Sequence, residues 1–150
     1  MPALSLPSPV GTLTLFEADG AIARLRWQGG AADHTPLLDE AAAQLAAYFE
    51  GRLRVFDLPL APEGPAMQRR FCAAMAAIPY GETRTYGEMA GALDIPAQAA
   101  GQLCGGNPVP VLIPCHRVLG ASGLGGFSAP GGVETKVALP RLEGAAGLLI

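Results

Sequence analysis

The chain has 150 residues, half of them apolar and 15% charged, with 10 Lys+Arg against 13 Asp+Glu and a formal net charge of −3. That length and apolar content exclude a disordered chain and supply ample material for one ordinary domain or two small ones. No stretch approaches the run of about 18 apolar residues that a membrane span needs, and the bulk acidity excludes a protein that wraps nucleic acid by charge alone, though not a local footprint.

The chain opens on MPALSLPSPVG, which has no basic region ahead of an apolar stretch and does not read as a signal peptide. Gly11 to Glu17 is β-branched and partly alternating, and Ala21 to Trp27 alternates apolar and basic residues. Asp19-Gly20 between them is a hairpin signal, so two antiparallel strands are expected. Asp39 to Gly51 reads as a helix, with Asp39 as its cap and Leu45, Tyr48 and Phe49 on one apolar face. Arg54 to Leu58 is expected to add a third strand. His34 has no cysteine partners nearby, so no zinc site is expected here, and Trp27 reads as packing at a strand end.

Leu60-Ala61-Pro62-Glu63-Gly64-Pro65 is rich in turn formers, and the charge changes across it. Residues 1–65 carry four basic residues against eight acids; residues 66–150 carry six against five. A boundary placed there divides an α+β domain, residues 1–62, from a mainly helical domain, residues 63–150.

In the second domain, Met67, Phe71, Met75 and Ile78 recur at helical spacing over Ala66 to Ala77. Thr85 begins a Thr-x-x-Glu capping box with Glu88, opening a helix through Leu93. Asp94-Ile95-Pro96 breaks that helix, and Ala97 to Leu103 forms another, ending in Cys104-Gly105-Gly106. Two short helices around a tight break are helix-turn-helix geometry, a pattern that many αα-hairpins share. The expected class is α+β overall, with a small mixed N-terminal domain and a winged-helix-like C-terminal one.

The string Asn107-Pro108-Val109-Pro110-Val111-Leu112-Ile113-Pro114-Cys115-His116-Arg117-Val118 carries the chemistry. An apolar run between prolines predicts buried extended chain ending beside Cys115. A thiol is mostly protonated at neutral pH and needs a base or cation to act as a nucleophile. His116 is an imidazole beside it, provided a third group holds its tautomer; the downstream acids are Glu134 and Glu143. For an arbitrary Cys-His pair the bland alternative, a buried thiol beside a surface histidine, carries most of the weight. The three cysteines (Cys72, Cys104 and Cys115) are too few for a disulfide framework and fit a cytoplasmic, thiol-reduced protein. Cys72 reads as core and Cys104 as helix-end packing.

The whole pattern resembles the methylated-DNA–protein-cysteine methyltransferases, the O6-alkylguanine-DNA alkyltransferases. Pro114-Cys115-His116-Arg117-Val118 looks like their signature. Ile78-Pro79-Tyr80-Gly81-Glu82-Thr83, Tyr86-Gly87-Glu88, Asn107-Pro108-Val109-Pro110 and Leu142-Glu143-Gly144 fall in family order and spacing over about residues 66–145. The resemblance implies irreversible transfer of an alkyl group from O6 of guanine to Cys115, after the base is flipped from double-stranded DNA. His116 would act through a water as base, Glu143 would orient it, and Asn107 would hold the turn beneath the loop. Tyr86 would press on the target phosphate and donate to the guanine ring. Backbone groups of Cys115 and Val118 would hold the exocyclic amine, and Ser128 would supply a backbone donor to O6. No metal or organic cofactor is implied, and a monomer is expected.

Three departures stand out. The family usually has an intercalating arginine in the third helix, and that position is Gln98, with Arg84 or Gln102 nearest to compensate. The Tyr-Ser-Gly-Gly loop is here Phe127-Ser128-Ala129-Pro130-Gly131-Gly132. Pro140 falls inside the last expected helix, Glu134 to Leu142, where an interior proline costs roughly 3 kcal/mol. Two rivals remain: a lesion-binding protein similar to the alkyltransferase-like proteins, which lack the acceptor cysteine, and a cysteine hydrolase using Cys115 and His116.

Overall fold

Asp19 and Gly20 both take positive φ, 51° and 77°, the backbone that a two-residue hairpin of type I′ demands and that Asp and Gly tolerate best. They join β2 (Leu13–Ala18) to β3 (Ala21–Arg26). The computed structural model describes residues 1–120 together with Leu139, Leu142 and Glu143, and the chain divides into two compact units between Glu63 and Gly64.

In the first unit a third strand, β1 (Ala3–Leu6), pairs antiparallel with β2, giving the order β1-β2-β3. Helix α1 (Pro36–Phe49) buries Leu38, Ala41, Leu45 and Tyr48 with Leu13, Leu15, Ile22 and Leu25 of the sheet, a helix covering the apolar face of an antiparallel sheet. β1 adds an edge strand to the two that were expected; its flanking prolines are tolerated beside an edge strand, and the 31–33 segment covers that edge through Ser5 N–H to Ala31 O and Asp33 N–H to Ala3 O. Two expectations are corrected here. The α1 cap is Thr35, whose hydroxyl accepts from Leu38 N–H at 3.0 Å, with Pro36 in the first turn. Asp39 lies inside the helix and bonds His34 Nδ1 at 2.7 Å. Residues 54–58 form no strand. The Gln44 side chain donates to the Asp57 carbonyl and accepts from its N–H, taking both backbone groups that a neighbouring strand would use.

In the second unit α2 (Ala66–Ala76) buries Gln68, Phe71, Cys72 and Met75. Strand β4 (Arg84–Thr85) leads into α3 (Tyr86–Leu93), which Thr85 and Glu88 close with the expected capping box. Asp94, in the left-handed region at φ 56°, turns the chain into α4 (Ala97–Gly105), a conformation that a short polar side chain accepts more readily than others. Gln68 ties α2 to the end of α4 by donating to Leu103 O at 2.8 Å. Gly106 packs against that side chain so closely that a Cβ would sit 2.9 Å from Gln68 Oε1, so a larger residue there would have to push the Gln68 side chain aside. Residues 109–118 are buried throughout, but they turn instead of running extended. β5 (Val118–Leu119) pairs in parallel with β4, a contact with no sequence signal. Leu139, Leu142 and Glu143 are helical. The expectations on Ser128, Glu134 and Pro140 lie outside the described residues.

Candidate active site

The cysteine loop begins at Asn107, whose side chain spans it. Asn107 Nδ2 donates to Ile113 O at 2.8 Å, and Oδ1 accepts from Val109 N–H at 3.0 Å. Between these anchors Leu112 N–H bonds Pro110 O at 2.9 Å, and the enclosed Val111 has φ 73°. That is the rare γ-turn of positive φ, strained for a β-branched residue. Strain of this kind persists only where surrounding contacts over-determine it; the Asn107 bridge and the burial of Val111 supply them. The turn delivers Pro114 and then a single 3₁₀ turn, Cys115–Arg117.

Cys115, His116, Arg117 and Glu143 are all buried. His116 Nε2 lies 2.9 Å from Glu143 Oε2. Arg117 donates from Nε to Glu143 Oε1 and from Nη2 to Oε2, both at 2.8 Å, and from Nη1 to Ile78 O at 2.6 Å. A carboxylate that accepts an arginine fork acts as an acceptor on both oxygens, so His116 Nε2 is the nitrogen carrying hydrogen. In the neutral ring the base nitrogen is then Nδ1. The 78–81 loop closes the cluster: Tyr80 donates its hydroxyl to Leu142 O at 3.1 Å, and its ring lies 5.7 Å from the Arg117 guanidinium.

Sequence reasoning assigned no role to Arg117 or Tyr80. The available signal was an arginine inside an otherwise apolar, buried string. Such a residue needs a carboxylate partner, because an unpaired buried charge is costly. Glu143 is that partner as well as the one for His116.

Parallel pairing of Arg84 with Val118 and Thr85 with Leu119 sets the start of α3 beside the cysteine loop. Tyr86, the first residue of α3, thereby reaches the site. Burial, then the neighbouring Cys104 and Cys115 and a hydrogen bond with Cys104, push the Tyr86 hydroxyl up to about 12, so it stays a protonated donor. The Cys104 thiol donates to the Cys115 carbonyl at 3.5 Å. Cys72 is buried elsewhere, against Gln68 and Asn107, and burial raises its thiol above the usual range, as expected of an inert core cysteine.

Gln98 and Gln102 lie one helical turn apart on α4, and both are exposed. Arg84 is held by Thr83 O and Glu82. From residue 86 to residue 105 the two helices and their turn carry Glu88 and Asp94 and no basic residue. Among the described residues no group of three His, Cys, Asp or Glu is placed to hold a metal ion.

Two family models match the chain: 6-O-methylguanine DNA methyltransferase, ribonuclease-like domain, over residues 4–62, and 6-O-methylguanine DNA methyltransferase, DNA binding domain, over residues 66–145. The chain is similar to a methylated-DNA–protein-cysteine methyltransferase of Mycolicibacterium paratuberculosis, 41% identical over 93% of this chain and 90% of that one. A Methanosarcina acetivorans protein of the same name is 47% identical over 70% of this chain and 68% of its own length. Among solved structures, Mycobacterium tuberculosis OGT in complex with DNA superposes with a TM-score of 0.86 at 38% identity, covering 99% of this chain and 98% of that one.

Proposed function

The chain belongs to the 6-O-methylguanine DNA methyltransferase family, and from that premise we propose that it repairs DNA by moving an alkyl group from O6 of a flipped guanine onto Cys115. The observation that carries the assignment is the buried His116–Glu143 contact at 2.9 Å, directly adjoining Cys115 in one 3₁₀ turn.

The reaction balances without a cofactor. Cys115 sulfur forms a bond to the alkyl carbon as the carbon–O6 bond breaks, and the electron pair stays with guanine. The thiol proton leaves toward His116 Nδ1, and the released guanine ends with a proton in place of the alkyl group. Glu143 holds His116 in the tautomer that can accept, and stabilises the imidazolium that forms. Arg117 holds Glu143. Tyr86, donating to the guanine ring, eases departure of the base by stabilising charge that develops on it. The Cys115 and Val118 carbonyls receive the exocyclic amine, and Asn107 keeps the loop in its strained turn. Gln98, and Gln102 beyond it, line the face of α4 that enters the DNA to fill the space of the extruded base. The thioether is stable and no hydrolytic step removes it, so each protein acts once.

Among the described residues no helix is long and apolar enough to cross a membrane; a cytoplasmic site of action is part of this proposal. Intact mass after incubation with an O6-methylguanine oligonucleotide tests it. One permanent methyl adduct per chain, absent from Cys115→Ser, is expected. A chain that binds the DNA and gains no mass is a lesion binder, and a transient adduct indicates a hydrolase; either outcome overturns the proposal.

A further inference from the structure

The transfer chemistry leaves one buried polar chain without a task. It begins on α2, where Gln68 and Cys72 are both buried one turn apart, the spacing at which two helix side chains meet. Gln68 Nε2 donates to Leu103 O at 2.8 Å and to Cys72 Sγ at 3.7 Å. The Cys72 thiol donates in turn to Asn107 Oδ1 at 3.8 Å. Asn107 is the residue whose side chain spans the cysteine loop, through Val109 N–H and Ile113 O.

Every hydrogen in this chain has one direction. An amide nitrogen donates two hydrogens and accepts none, so the sulfur accepts from Gln68. Burial raises the Cys72 thiol above its usual range, so it keeps its own hydrogen for Asn107 Oδ1. Turning the Gln68 amide over would set its oxygen against Leu103 O, an end-of-helix carbonyl of α4 whose helical donor, Asn107 N–H, bonds Cys104 O instead. Turning the Asn107 amide over would face its NH₂ with the thiol hydrogen and with Val109 N–H. Asn107 Oδ1 thus holds two donors, one from the loop it spans and one from α2. The loop contacts alone would let Asn107 move with the strained turn at Val111; the contact from α2 ties it to an element outside the loop. A strained backbone persists only while such outside contacts over-determine it.

We propose that Gln68 and Cys72 are positioning residues for the transfer: a relay from α2 and the end of α4 to Asn107 that holds the cysteine loop in the turn presenting Cys115. The inference rests on the transfer reading. It differs from a packing role, which apolar side chains of similar volume satisfy equally well, and it leaves DNA binding alone because both side chains are buried.

Single-turnover rates at saturating O6-benzylguanine and at saturating alkylated duplex test it, each normalised to the adduct formed at completion. Gln68→Met keeps length without polarity and should slow both substrates about three- to tenfold, the worth of one modest hydrogen bond, with duplex affinity within about twofold. Cys72→Val should slow both about threefold, and Cys72→Ser, which keeps a donor and an acceptor, should be at least about twofold faster than Cys72→Val. Gln68→Met combined with Cys72→Val should match Gln68→Met alone, because one relay is broken either way, whereas independent packing losses would multiply. Single variants at the wild-type rate, a serine variant no faster than valine, losses that multiply in the double variant, or slowing confined to the duplex overturns the inference. Should Gln68→Met melt too low to assay, the serine and valine variants decide alone: serine fast and valine slow supports the inference, and any other order overturns it. A wild-type protein that forms no adduct with either substrate defeats the transfer reading itself, and this inference with it.

Discussion

Among the described residues the same arginine–glutamate fork occurs twice. In the first unit Arg24 donates from Nε and Nη2 to the two oxygens of Glu63, both at 2.8 Å, with its guanidinium 5.2 Å from the Phe16 ring centre. In the second, Arg117 makes the same pair of 2.8 Å bonds to Glu143, beside the Tyr80 ring. Only the surroundings differ: the Arg24 and Glu63 side chains are 29% and 36% exposed, those of Arg117 and Glu143 9% and 0%. The surface fork is screened by water and shares its carboxylate with no other side chain that bears on chemistry. The buried fork also holds a histidine on the same carboxylate, next to a nucleophile. Geometry alone therefore does not mark a functional ion pair; burial and a third partner do.

Exchanging one atom type at Glu143 should produce the largest effect. In Glu143→Gln the amide must present its NH₂ either to Arg117 or to His116, so one donor faces another. Transfer to Cys115 should slow by about 10²-fold, the usual contribution of a positioned base, equally for O6-benzylguanine and duplex, with DNA affinity within about twofold. Single-turnover kinetics and a binding titration check both; a rate loss confined to duplex would place Glu143 in binding instead.

Removing the arginine separates the two forks by stability. Arg117→Met leaves Glu143 buried without its main partner and should cost roughly 3 kcal/mol, which lowers Tm by on the order of 10 °C. Arg24→Met should cost less than about 1 kcal/mol. Circular dichroism melts of the two variants would refute the contrast if the losses matched.

A guanidinium added where there is none sharpens the division between chemistry and binding. Residues 86–105 hold no basic side chain, so Gln98→Arg should raise duplex affinity about three- to tenfold at low salt and steepen the salt dependence by roughly one contact. Its rate with the free base should not change. Equal gains on both substrates would show that Gln98 acts on the cysteine loop.

The smallest effect is the pH response of the surface fork. The hydrogen bond from Arg24, followed by the charges of Arg24 and Arg26, holds the Glu63 carboxyl below its usual range. A depressed folded value means the stabilisation is present above the unfolded value and is lost as pH falls through the folded one. Acid melts of Glu63→Gln should therefore be flatter than wild type only in that acidic window, by a few tenths of a kcal/mol for so exposed a pair.

Local signals in the sequence were legible where the physics is local. Asp19-Gly20 marks its hairpin, Thr85 and Glu88 mark the start of α3, and Asp94-Ile95-Pro96 marks the break before α4, because caps and turns are decided by residues within a turn of one another. Signals that depend on distant partners were not legible. The strand status of Ala3–Leu6 depends on β2, the failure of residues 54–58 to pair depends on Gln44, and the β4–β5 pairing joins segments 34 residues apart in register. At the site, Cys115 and His116 adjoin in the chain and stand out in the sequence. The fork of Arg117 on Glu143 spans 26 residues; an arginine within an apolar string signals that some carboxylate must meet it, but not which one. The bend at Val111 was missed for another reason: a β-branched residue at positive φ contradicts its own propensity, and only the Asn107 bridge explains why the chain turns there.

Peptide mapping of the protein after reaction with one equivalent of an O6-methylguanine duplex tests the central claim most directly. The methyl group should appear quantitatively on the peptide containing Cys115, with Cys72 and Cys104 unmodified and no further methyl transferred on addition of fresh duplex. A methyl group on Cys104, or continued turnover with fresh duplex, would contradict it.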